Sequence, residues 1–237
     1  MKPIQTFVLV DDNAGPDVTP AVLAQIAEAV QTQIATHYAP VWGAPGGVPV
    51  KVVTGAAPGQ GSPDVPVYIR ASSDVQGAAG YHDDDGVYVF RDGLPALTSG
   101  AFSLSVVVSH EVLETLGDPG ANQWADNGQG TEYAREMCDA VEAYCYDVKI
   151  SGGSTVSVSD FVLPSFFDPE GEAPFSYLDK PPSPFTTAEA GGADYQIART
   201  VDEGGAQDVT ADRLPRADRL AAKRHPSSRT SRRGLKL

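Results

Sequence analysis

Cations are scarce where a polyanion groove would need them. Of the 17 Lys and Arg in the 237 residues, nine fall within 211–237, so residues 1–210 carry eight against 29 Asp and Glu, a net of −21 within a whole-chain charge of −14. Phosphate binding needs clustered cations, so the acidic body excludes a nucleic-acid groove and leaves any contact with nucleic acid or an acidic partner to the basic C-terminal stretch. Cysteine is nearly absent as well: Cys138 and Cys145 are too few for a disulfide framework and are not spaced as a Cys-x-x-Cys pair. Two reduced thiols are the reading that compartment chemistry favours, with a bridge across a hairpin as the alternative. No apolar run approaches the ~18 residues of a membrane span, and the opening MKPIQTFVLVDD soon meets Asp11 and Asp12, unlike a signal peptide. The expectation is a cytoplasmic protein without membrane contact.

What is present is an ordinary apolar share, 41%, enough for one sizeable core or a core with an annex. PIQTFVLV reads as a strand followed by the turn-rich DDNAGPD. Thr19 and Pro20 supply an N-cap and a first-turn proline to a helix whose stripe of Leu23, Ile26, Val30 and Ile34 runs to about Tyr38. VPVKVVTG, DVPVYIRASS and VYVF read as strands, the last preceded by HDDDG as a solvated turn or loop. Calcium at Asp83 to Asp85 is disfavoured, because the spaced carboxylates and the glycine of a calcium loop are missing. From Ser99, SGAFSLSVVVSHEVLETLGDPG predicts a buried helix of about five turns, capped by that serine and stopped at Gly117 and Pro119. Beyond Gly120 the pattern is loops and short strands, and from about Val201 a basic, low-complexity tail with no means to bury a core. The fold class expected is α+β, divided into residues 1–120, a loop- and strand-rich 121–200, and a tail over 201–237.

The chemistry concentrates in SHEVLETLG, residues 109–117. On a helix, positions four apart lie about 6 Å along the axis and ~40° around it, so His110 and Glu114 share a face. Imidazole and carboxylate both ligate Zn²⁺ at about 2.0–2.2 Å, so the pair can hold one ion. Glu111, turned about 100° from His110, suits a general base acting on a water at the metal. A shuffled chain of this composition gives His-Glu-x-x-Glu about once in 140 tries, so the pattern is informative without being decisive. The bland alternative is an ordinary polar pair on a solvated helix face, which the apolar residues around the triplet disfavour.

Strand, helix, further strands and then a helix bearing HEVLE and Gly117 resemble the zincin superfamily of metallopeptidases, in particular its metzincin-like branch with His-Glu-x-x-His-x-x-Gly. The resemblance covers about residues 1–145 and implies a mixed twisted sheet with an N-terminal helix and a buried active-site helix. It further implies His110 and Glu114 as metal ligands, Glu111 as base, Gly117 as the turn ending the helix, and a peptide substrate docked along the Val87–Phe90 edge. Two departures stand out: Glu114 replaces the second histidine, and the position of the third ligand falls on Gly120, which has no side chain. A third ligand must come from elsewhere, and the better candidates lie in REMCDAVE, where Glu136 is slightly preferred over Asp139, with Cys138 a softer option. Asp118 lies about 12 Å along an ideal helix from His110, out of reach. Such an anionic donor set would hold zinc less selectively, accept Mn²⁺ or Ca²⁺ more readily and hydrolyse more weakly. SHEVLE, GDP and REMCDAVE are also similar to uncharacterised proteins of bacterial and phage genomes, which would make the chain virion-associated if it is phage-encoded.

Other residues read more plainly. His82 is expected as a turn histidine, with a place near the cleft on the edge-strand segment as the less favoured alternative, and Trp42 and Trp124 as packing anchors. Tyr133, Tyr144 and Tyr146 are open candidates for an oxyanion donor. Two functions from different classes follow: a zinc-dependent metallopeptidase-like hydrolase, or a zincin-shaped structural or assembly protein that has lost catalysis.

Overall fold

The opening apolar run becomes strand β1 (Thr6–Asp11), with a strand on either side, and Phe7, Val8 and Leu9 are buried in succession rather than in alternation, as on a strand covered on both faces. In this computed structural model, which describes residues 4–188 apart from 45, 46, 48, 76 and 77, then 194–202 and 205–211, it pairs in parallel with β2 (Lys51–Thr54) and β3 (Val65–Arg70). β3 pairs in parallel with β5 (Val87–Phe90), and β5 pairs antiparallel with β4 (Gly80–His82), giving the order β2-β1-β3-β5-β4. The expected Val87–Phe90 edge is therefore an interior strand. The hairpin through Asp83 to Gly86 folds β4 back over its outer side, and the free edge belongs to Gly80–His82.

Helix α1 (Pro20–Gln33) starts as its sequence predicts: the Thr19 hydroxyl accepts from the Val22 N–H at 3.3 Å, with Pro20 in the first turn. It runs on through a π turn (Ile34–Tyr38) into α2 (Ala39–Trp42). Leu23, Ile26 and Val30 bury against Phe7, Leu9, Val67 and Ile69 in the main core. Helix α3 (Leu104–Gly117) begins later than expected, with Ser103 rather than Ser99 at its N-cap position. Gly100 at φ 79° and Phe102 at φ 61° keep 99–102 out of the helical region.

All of α3 from Leu104 to Leu116 is buried, as a helix apolar on most of its circumference must be. One side faces the sheet. The other receives the hairpin of β8 (Cys145–Lys149) and β9 (Thr155–Ser159), and the contact is polar and close. Ser105 Oγ donates to the Ser157 carbonyl at 2.6 Å, and Ser109 Oγ accepts from the Ser159 N–H at 2.7 Å, so two hydroxyls one turn apart satisfy the strand's outer peptide groups. A second sheet, β11-β10-β7-β6, contains β6 (Trp124–Asp126), β7 (Thr131–Ala134), β10 (Gln196–Asp202) and β11 (Gly205–Ala211). Regular backbone thus extends past the expected start of the tail at Val201. The remainder of that basic stretch, 212–237, lies outside the described residues. The architecture is α+β, and no helix among the described residues is long and apolar enough to cross a membrane.

Ile26→Ala, which empties a fully buried side chain on α1, is expected to cost about 2–5 kcal/mol of unfolding free energy in urea, with an unchanged m-value. A loss below about 1 kcal/mol would mean that this helix–sheet contact does not carry the core.

Candidate metal centre

Six ionisable side chains from three segments meet in the interior: His82 from β4, His110, Glu111 and Glu114 from α3, and Glu136 and Asp139 from the segment after β7. Their exposures are 8%, 7%, 3%, 0%, 6% and 1% respectively. The shared helix face expected for His110 and Glu114 is present, with His110 Nε2 and Glu114 Oε1 3.1 Å apart. Asp139 completes a group on that side, its Oδ1 lying 3.3 Å from His110 Nε2. One ligand atom from each of His110, Glu114 and Asp139 lies within 4.8 Å of the others. Asp139, not the preferred Glu136, stands in this group. Glu136 belongs to neither group of converging donors, though its charge acts on His82.

The 136–139 segment is held there by long-range bonds. Met137 accepts the Val162 N–H at 2.7 Å and the Asp139 carbonyl accepts the Tyr195 N–H at 3.0 Å. The Met137 side chain, fully buried, lies where a Cβ on Gly117 would be, 2.3 Å from its Cε. Gly117 ends the helix as expected and also serves close approach, with a φ that is not among the positive ones. Asp118 caps the turn instead: its carboxylate accepts the Gln123 N–H at 2.7 Å, away from the ion group as expected.

His82 is the residue that sequence reasoning ranked too low. It is no turn histidine: its Nδ1 lies 3.3 Å from Glu111 Oε2 and 3.9 Å from Glu114 Oε2. The signal lay in the hairpin register. Residues directly opposite on adjacent strands share a face, and His82 opposes Val87 while Gly80 opposes Val89, two valines fully buried in the main core. Both partners therefore face α3. A Cβ on Gly80 would come 2.9 Å from Glu111 Cγ and 3.0 Å from both Glu111 Oε1 and Val107 Cγ1, so only glycine lets the helix pack this closely.

Electrostatics follow from burial and proximity. Burial disfavours a charged His82, but the hydrogen bond to Glu111 and the charges of Glu136, Glu111 and Glu114 outweigh it and raise its pKa above 6.5. At His110 burial is likewise overcome, by the Glu114 charge and the bonds to Asp139 and Glu114, and its pKa stands well above 6.5. Cys138 is pushed well above 9.0 by burial and then by the Glu114 charge, and it is not among the converging donors of either group. Cys138 and Cys145 are both free.

The remaining candidates are elsewhere. Trp42 and Trp124 are anchors: Trp42 donates to the Val162 carbonyl at 2.9 Å, and Arg199 stacks over Trp124 at 4.2 Å. Tyr146 shares its hydroxyl with Gln33 and His37, Lys180 Nζ lies over the Tyr144 ring at 5.2 Å, and Tyr133 packs on Phe185. Asp83 closes the β4–β5 turn by accepting from the Asp85 and Gly86 N–H groups, as a turn residue would.

The donor set fits a divalent cation. Two donors about 2.1 Å from one ion at tetrahedral angles lie about 3.4 Å apart, close to the 3.1 and 3.3 Å separations around His110 Nε2. Four buried carboxyls against two imidazoles also call for protons or a metal. Without metal, His82 and His110, with raised pKa values, contribute stability that is complete below pH 6.5 and is lost as pH rises through those values. Urea midpoints in chelator are expected to fall above pH 6.5 and to fall less in His110→Ala. An equal pH slope in the two proteins would contradict the assignment.

No family model matches this chain, and neither a curated protein nor a solved structure matches it, so what it does has to be read from its own side chains.

Proposed function

We propose that the chain is a zinc-dependent, zincin-like metallopeptidase-type hydrolase. The observation that carries this reading is the buried convergence of His110, Glu114 and Asp139 within 4.8 Å, with Glu111 beside them on the same helix. The zincin resemblance gains support from a mostly parallel sheet whose short antiparallel edge strand lies against the helix bearing the motif. A zinc ion held by these three side chains supplies Lewis-acid chemistry, polarising a carbonyl and acidifying water. The Glu111 carboxylate accepts a proton from the attacking water and returns it to the leaving amine as the C–N bond breaks. His82, whose Nδ1–H donates to Glu111 Oε2 at 3.3 Å, orients that carboxylate. A peptide substrate pairs along the free edge of Gly80–His82, not along Val87–Phe90. One imidazole and two carboxylates make an anionic set, which tolerates Mn²⁺ or Ca²⁺ and makes a weaker hydrolase than two imidazoles would.

One observation favours the second reading, a zincin-shaped structural or assembly protein: every member of the ion group is at most 8% exposed. In that case zinc raises the melting temperature and no peptide is cleaved.

Glu111→Gln is expected to abolish cleavage of an unstructured peptide library while the ion on His110, Glu114 and Asp139 is retained, read by metal analysis of the same sample. Cleavage at the wild-type rate would remove Glu111 from the role of base. Gly80→Ala, which must displace Glu111, is expected to keep the fold and lose about 100-fold in turnover. Unchanged kinetics would mean that the position of Glu111 does not matter.

A further inference from the structure

The donor atoms at the centre form two groups that share one residue. His110, Glu114 and Asp139 make the first; His82, Glu111 and Glu114 make the second, again with one ligand atom from each within 4.8 Å of the others. Glu114 turns a different oxygen to each histidine: Oε1 lies 3.1 Å from His110 Nε2, and Oε2 lies 3.9 Å from His82 Nδ1. We infer that the centre is built for two divalent cations bridged by Glu114, one on His110 and Asp139, the other on His82 and Glu111. This rests on the reading of His110, Glu114 and Asp139 as holders of the first ion and adds a second beside it.

Three features carry the inference. The first is spacing: around His82 Nδ1 the carboxylate oxygens stand at 3.3 and 3.9 Å, near the about 3.4 Å separation of donors on a common ion. The second is charge: Glu111, Glu114, Glu136 and Asp139 are all buried, and two dications balance four carboxylates with both imidazoles neutral, whereas a single dication leaves two negative charges to be met by protons. The third is the side chain at 114. An imidazole there would turn one nitrogen to one ion, but a carboxylate has two oxygens and can serve an ion on each side. The departure from the two-histidine motif is then the feature that creates the second position. His82 Nδ1 is the ring atom turned to both carboxylates, so an ion there would take Nδ1 as ligand and move the ring proton to Nε2.

The two occupancies differ in chemistry. With the first ion alone, Glu111 is available to a water proton; with the second ion bound, Glu111 is a ligand and that service stops. Turnover is expected to rise with the first equivalent of zinc and fall with the second.

The test is metal stoichiometry of the full chain, by equilibrium dialysis against Zn²⁺ followed by elemental analysis, for wild type and His82→Ala. Two ions per chain in wild type and one in the variant is the result expected. One ion in both overturns the second position and leaves the hydrolase reading standing; none in wild type overturns both. Because His82→Ala removes a buried side chain, wild type loaded with Mn²⁺ is also examined by electron paramagnetic resonance. An exchange-coupled spectrum is expected from a carboxylate-bridged pair, and uncoupled ions at full loading would overturn the bridge.

Discussion

A carboxylate with no solvent exposure has to be matched by positive charge, and Glu114 is such a carboxylate, set in the middle of the most buried helix of the molecule. Leaving it unmatched would cost several kcal/mol, a large share of the total stability of a domain. Much of the surrounding arrangement answers that demand. His110 comes from the same helical face and His82 from an edge strand, while Asp139 approaches the same His110 nitrogen as Glu114 and adds to the negative charge to be met. Sheet, helix and C-terminal segments are therefore joined by electrostatics as well as by apolar contact.

Close approach makes the arrangement possible. Gly80 lets the edge strand come against Glu111 and Val107, and Gly117 lets Met137 seat against the end of α3. On the remaining side Ser105 and Ser109 present short hydroxyls, so that β9 docks by hydrogen bonds at a distance larger side chains would prevent. Small residues at three faces of one helix bring three chain segments within reach of a common point.

Much of this was legible in the sequence where it depended on local rules. The Thr19–Pro20 start, the alternating strands, the acidic hairpin turn and the shared face of His110 and Glu114 are set by neighbours within a few residues. What depended on distant partners was not. His82 acquires its meaning only from the register that sets it opposite Val87, and the edge moved from Val87–Phe90 to Gly80–His82 because a hairpin folded back. Asp139 displaced Glu136 from the first group because bonds from Val162 and Tyr195 fix how the segment is turned. Ser99 lost the N-cap position to Ser103 because Gly100 and Phe102 take positive φ, which the apolar stripe does not reveal.

The bond from the Val162 N–H to Met137 and that from the Tyr195 N–H to the Asp139 carbonyl have a temporal meaning. A growing polypeptide emerges from the ribosome with His82, His110 and Glu114 long before those two amides. Until they arrive, nothing clamps Asp139 beside His110. The group of His110, Glu114 and Asp139 is thereby completed only after most of the described chain has been synthesised.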